Sequence, residues 1–151
     1  MDGVRFGHVN LVAADWRRLV KFYSDVFGCV ATGTERDLHG ELLERGTKLP
    51  GAHLRGMHLR LPGHGESGPT LEIFSYEQNA SNAAPATPNR VGFGHIAFVV
   101  PEVSGAIRSV LAAGGSQYGE AVTTAANGRK VTWVYMRDPE GNLVELQAWS
   151  D

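Results

Sequence analysis

The sequence predicts an α+β fold of tandem βαβββ modules, and three observations carry that prediction. "FGHVNLVAADW" and "FGHIAFVVPEV" repeat one pattern: Phe-Gly-His (6–8 and 93–95), a short apolar run, then an acidic residue, Asp15 or Glu102, where a helix can begin. After each copy, strand-like and helix-like periodicities follow in the same order. The two halves also close alike. "LEIFSY" and "VELQAW" each flank a glutamate with apolar residues and place an aromatic four positions after it.

In "VRFGHVNLVA" the period is two, so Val9, Leu11 and Ala13 share one strand face and His8, Asn10 and Val12 the other. "DWRRLVKFYSDVFG" reads as an amphipathic helix. Asp15 caps its start, Gly28 ends it in the left-handed conformation, and Leu19, Phe22, Tyr23, Val26 and Phe27 form its apolar stripe. A strand at 28–34 follows. From Glu35 to Pro50 the pattern is irregular, with one short helix expected in "HGELLERGTKLPG", whose Glu41, Glu44 and Arg45 read as a solvated face. "AHLRGMHLRLP" is a strand with Met57, Leu59 and Leu61 in one phase, "GHGESG" a turn, and "PTLEIFSY" the closing strand.

"EQNASNAAPATPNR" is small, polar and without period, as a linker is. The expected organisation is therefore a module at 1–76, a linker at 77–90 and a module at 91–151, together one compact domain of two repeats. The second module reads as a strand "VGFGHIAFVVP", a helix "EVSGAIRSVLAAGG", a short strand "QYGEAV", a long strand "GRKVTWVYMRD", a turn "DPEG" and a closing strand "NLVELQAW".

Bulk properties narrow the function classes. The chain has 151 residues, 42% hydrophobic and 20% charged, with a formal net charge of −2. No basic patch speaks for nucleic acid, and the apolar runs are too short to span a membrane. No basic and apolar leader precedes the first strand, and Cys29 is the single cysteine, so a reducing, cytoplasmic setting is expected. Cys29 itself, between apolar residues, reads as a buried structural thiol.

Four ionisable residues occupy equivalent places in the repeats: His8 and His95 on the opening strands, Glu72 and Glu145 on the closing ones. Leu71 and Ile73 flank Glu72, Val144 and Leu146 flank Glu145, and Ile96 and Phe98 lie opposite His95. With those apolar residues packed on the helices, all four ionisable side chains point away from them, which leaves the helices on the outside. Two imidazoles and two carboxylates suit one divalent transition metal: nickel, cobalt, zinc, manganese or iron. Asn10, Phe74, Tyr76, Gln147 and Trp149 share the phase of these residues and are candidate substrate contacts. His58 is the further histidine expected to reach them. His39 and His64 are placed in loops, His53 at the surface, and Trp16 and Trp133 read as packing residues.

These residues resemble the vicinal oxygen chelate superfamily, which includes glyoxalase I, methylmalonyl-CoA epimerase, extradiol dioxygenases and bleomycin-binding proteins. The resemblance runs from "FGHVNLVAADWRRLVKFYSDVFG" to "RDPEGNLVELQ". It implies a cupped mixed sheet with one metal held by His8, Glu72, His95 and Glu145, and a small substrate chelated through neighbouring oxygens. Glu145 would be the first choice of base and Glu72 the second, in proton transfer next to a carbonyl. The full His-Glu-His-Glu set matches glyoxalase I among these relatives, so a glyoxalase-like lyase or isomerase is expected. An Fe(II) extradiol-type dioxygenase and a non-catalytic drug-binding protein remain as alternatives. Two positions depart from the glutathione-dependent pattern: Val12 and Tyr76 stand where such members carry Arg and Asn. A homodimer is expected because each short module leaves an open sheet edge.

Overall fold

The computed structural model describes residues 2–80 and 84–151, which fall into two compact units dividing after residue 81. Unit 1 contains β1 (His8–Val12), α1 (Trp16–Phe27), β2 (Val30–His39), α2 (Glu41–Thr47), β3 (His53–Arg60) and β4 (Thr70–Tyr76). Its sheet has the order β1-β4-β3-β2, with β1 parallel to β4 and the other pairs antiparallel. Unit 2 contains β5 (Ile96–Val99), α3 (Val103–Ala112), β6 (Ser116–Gln117), β7 (Val122–Ala126), β8 (Arg129–Arg137) and β9 (Leu143–Ser150). Its order is β5-β9-β8-β6, with β7 also paired to β8 and β5 parallel to β9. Both units are thus mixed sheets with a helix after the first strand, the α+β class and βαβββ order expected.

The helices form where local chemistry directs. Asp15 caps α1 by accepting the Arg18 N–H at 3.1 Å, and Gly28 closes it at φ 69° while its N–H donates to the Ser24 carbonyl. The stripe of α1 buries Leu19, Phe22 and Tyr23 at 0–2% exposure, where Leu and Phe each contribute roughly 1.5–3 kcal/mol. Leu59, Leu71 and Ile73 on β3 and β4 are equally dry. In unit 2, Glu102 caps α3 through the Ser104 and Gly105 N–H groups at 2.7 and 2.6 Å. Val110 of α3 and Val134, Met136, Val144 and Leu146 of β8 and β9 are fully buried. Trp16, at 7% exposure, is a packing residue as read, and Cys29 is buried.

Three boundaries differ from expectation. The region from Glu35 is not irregular, since β2 continues to His39, which is therefore in a strand rather than a loop. The strand is exposed along almost its whole length, so it has no buried face to create a period. A register shift between Thr32 and Arg36 around Gly33 (φ 70°) breaks the pattern further. The second strand of the second module is not "QYGEAV" but is divided into β6 and β7, the latter joined to β8 by an Asn127-Gly128 turn with φ 54° and 78°. β5 begins only at Ile96, just after His95. Within the expected linker, residues 81–83 lie outside the described residues.

Candidate metal centre

In unit 1, β1 and β4 run parallel with Asn10 opposite Glu72, and β3 crosses β4 with His58 opposite Glu72. Strand alternation sends Leu71 and Ile73 into the core beneath α1 and turns Glu72 to the other face. His8 Nδ1 and His58 Nε2 each stand 3.4 Å from the same oxygen, Glu72 Oε1. The Glu72 side chain is only 12% exposed while that of His8 is 53% exposed. The carboxylate is thus largely withdrawn from water and bordered by two imidazoles.

Unit 2 repeats the construction. Glu145 lies opposite Ala97 on β5 and Tyr135 on β8, the register positions that Asn10 and His58 hold around Glu72. His95 Nε2 is 2.9 Å from Glu145 Oε2, and the glutamate is 18% exposed. The Tyr135 ring lies 5.0 Å from the His95 ring. Burial, and then the Glu145 charge beside it, pushes the Tyr135 phenol above its ordinary range. The Asp138 turn anchors the β8–β9 hairpin that presents Glu145. Its carboxylate is 3% exposed and accepts the Glu140 and Asn142 N–H groups, both at 2.9 Å, and the Asn142 amide.

The expected ligands therefore stand as one His–Glu pair in each unit, His8–Glu72 and His95–Glu145. Among the described residues, no group of three or more His, Cys, Asp or Glu side chains is assembled to hold a metal ion. The donor chemistry nonetheless fits a divalent cation: each carboxylate is mostly dehydrated, a costly state that a cation relieves, and each has a nitrogen donor within 3.4 Å or less.

The remaining candidates fall as follows. Asn10 spends its amide on the Glu72 backbone carbonyl at 3.2 Å, bracing β1 against β4. Phe74 is 9% exposed and lies 5.6 Å from the His58 ring. It leans over Gly56, where an added Cβ would come within 2.4 Å of the Phe74 ring and 2.0 Å of the Ile73 carbonyl oxygen. Tyr76 pairs with Leu54 at the end of the same row of residues. Gln147 accepts the Trp149 indole N–H at 2.8 Å, and Trp149 is 37% exposed. Of the other histidines, His53 sits between Asp37 and Glu77, 2.5 and 2.8 Å away, and belongs to a separate charged cluster.

Two residues at the unit 2 pair escaped the sequence reading. Tyr135 has no role in the sequence reading, and Trp133 reads there as a packing residue. Both alternate with the fully buried Val134 and Met136, so they lie on the face turned away from α3. Their phase along "VTWVYMR" was the available signal.

Comparison with known proteins agrees with this architecture. A family model described as Glyoxalase/Bleomycin resistance protein/Dioxygenase superfamily matches residues 5–146. A lactoylglutathione lyase of Arabidopsis thaliana is 28% identical over 145 residues, 96% of this chain and 44% of that protein. The chain thus spans less than half the length of that relative. Among solved structures, a glyoxalase family protein from Bacillus cereus superposes with a TM-score of 0.83 at 18% identity, covering 100% of this chain and 99% of that one. One from Enterococcus faecalis gives 0.61 at 24% identity, covering 97% and 99%. At such identities these two likenesses speak for the fold alone. The family match over nearly the whole chain goes further: this protein is a member of the Glyoxalase/Bleomycin resistance protein/Dioxygenase superfamily.

Proposed function

We propose that this protein is a divalent-metal-dependent, glyoxalase-like lyase or isomerase that moves a proton next to a carbonyl on a small oxygen-chelating substrate. The observation that carries this reading is the repeated His–Glu pair: His8 at the start of β1 with Glu72 on β4, and His95 just before β5 with Glu145 on β9. The four side chains supply two nitrogen and two oxygen donors to one metal: nickel, cobalt, zinc, manganese or iron. When bound, such a metal would supply Lewis acidity to the substrate's oxygens and lower the pKa of the adjacent C–H.

The chain's own residues then handle the proton. Glu145 accepts it at a carboxylate oxygen, and its low exposure limits competition from water. His95, 2.9 Å away, holds that carboxylate in place. Glu145 then returns the same proton to the neighbouring carbon and is a free carboxylate again; Glu72, between His8 and His58, is the second choice for this base. The exchange is redox-neutral: one C–H bond breaks and another forms. Support for a lyase comes from the lactoylglutathione lyase likeness, while Val12 and Tyr76 at the usual glutathione-contact positions favour a thiol other than glutathione, or none. We further propose that modules 1–76 and 91–151, joined by 77–90, serve as the two halves of the site, in a cytoplasmic homodimer.

The test is deuterium exchange. Metal-reconstituted protein should exchange the α-proton of a chelating α-hydroxyketone with D2O, read by NMR, and Glu145→Gln should slow this by on the order of 10²-fold or more. Exchange by Glu145→Gln at the parent rate would refute the assignment of the base.

A further inference from the structure

Trp133 occupies in unit 2 the register position that Gly56 occupies in unit 1. Each lies opposite the residue two beyond the glutamate: Gln147 for Trp133, Phe74 for Gly56. Unit 1 admits nothing larger than glycine there, because the Ile73 carbonyl oxygen and the Phe74 ring already fill the space. Unit 2 instead places an indole there, half-buried, on the face turned from α3. A long hydrogen bond from its N–H to Thr124 Oγ1 at 3.4 Å fixes the ring plane. The Trp133 ring stands edge-on to Tyr135, centroids 5.4 Å apart, and Tyr135 in turn lies 5.0 Å from His95. An aromatic row thus leads directly away from the His95–Glu145 pair.

The neighbours of that row are apolar and open. Val122, opposite Trp133 on β7, is 38% exposed, and Val99, opposite Gln147 on β5, is 70% exposed. Neither the Glu145 row nor the next carries a lysine or arginine: across β5, β9 and β8 they read Ala97, Glu145, Tyr135 and then Val99, Gln147, Trp133. The Gln147 side-chain oxygen is already taken by Trp149. A molecule held at the His95–Glu145 pair and extending along the strands meets Tyr135, Val99 and Trp133 with no lysine or arginine in these two rows; Arg129, 5.8 Å over the Trp149 ring, stands one row further on. Exposed apolar surface adjoining a polar pair is how small-molecule sites are built.

We propose that Trp133, flanked by Tyr135, is a specificity-determining residue that holds a flat, uncharged aromatic group, so that the substrates are aryl-substituted α-oxygenated carbonyl compounds. This rests on the metal-dependent reading above. Two hydroxamates test it, since benzohydroxamate and acetohydroxamate chelate through the same two oxygens and differ in the ring. By calorimetry on metal-loaded protein, benzohydroxamate should bind roughly ten-fold tighter, the scale of one aromatic contact plus its buried area. In Trp133→Ala the ratio of the two affinities should fall toward one, and Trp133→Phe, which keeps a flat ring, should restore most of it. Should Trp133→Ala fail to fold, loss of the preference in Trp133→Thr against its retention in Trp133→Phe makes the same distinction. Equal affinities in the parent, or a preference that survives loss of the indole, would overturn the proposal. A protein that takes up no metal would refute the metal-dependent reading, while a loaded protein that binds neither hydroxamate would refute chelation of the substrate and this inference with it.

Discussion

Replacing Gly56 with alanine sets a methyl group 2.0 Å from the Ile73 carbonyl oxygen, 2.4 Å from the Phe74 ring and 2.8 Å from the Phe74 Cα. The ring can swing aside, but the two backbone atoms belong to β4, paired with β3 on one side and β1 on the other. Relief therefore requires β3 and β4 to separate where His58 and Glu72 face each other two residues away. Overpacking of this kind costs about 1–3 kcal/mol, and the backbone contact places Gly56→Ala at the upper end. For a chain of this length, that corresponds to a Tm lower by about 6–12 °C at the upper end of the cost. Thermal denaturation followed by circular dichroism measures it. Gly46 in α2 is the control: its added Cβ meets nothing within 4 Å, and Gly46→Ala should raise stability by about 0.5–1 kcal/mol. A Gly56→Ala protein that melts with the parent would refute the close approach of Phe74 over Gly56.

Two further outcomes follow from the titrating groups. Hydrogen bonds from His53 and then Arg55 hold the Asp37 carboxyl below its ordinary value, and those from Ser104 and Gly105 do the same for Glu102. A carboxyl depressed in the folded state contributes stability above its unfolded pKa and loses it as pH falls through the folded value. Melting curves from neutral pH into the range below pH 4 should therefore show an acid limb that flattens in Asp37→Asn and in Glu102→Gln; unchanged limbs in both would contradict these contacts. Burial pushes the Cys29 thiol up to about 11, so a thiol reagent near pH 8 should label it only upon unfolding. Rapid labelling of the native protein would contradict its burial.

The elements most plainly written in the sequence are those with one dry face and one wet one. The α1 stripe and the phase of Glu72 and Glu145 between buried neighbours follow from periodicity, and the Asp15 and Gly28 ends from capping chemistry. The full length of β2 is not legible in the sequence, because an exposed edge strand with a register shift has no period to display. The β6–β7 division carries a local signal, Asn127-Gly128 ahead of β8, whereas the expected strand "QYGEAV" spans the gap between β6 and β7. What no single strand reveals is cross-strand register. That His58 stands opposite Glu72, and Tyr135 opposite Glu145, depends on hairpin lengths and on the turn fixed by Asp138. The aromatic surface at Trp133 became visible only once that register was known.

We propose that the His8–Glu72 and His95–Glu145 pairs together hold one divalent metal. Elemental analysis of protein purified without chelators or a metal-affinity tag, beside His8→Ala and Glu145→Ala, tests it most directly. About one transition-metal ion per pair of His–Glu sites is expected in the parent, and its loss in both variants, one from each unit. Parent protein that takes up no metal after reconstitution, or variants that retain it in full, would contradict a metal held by these four side chains.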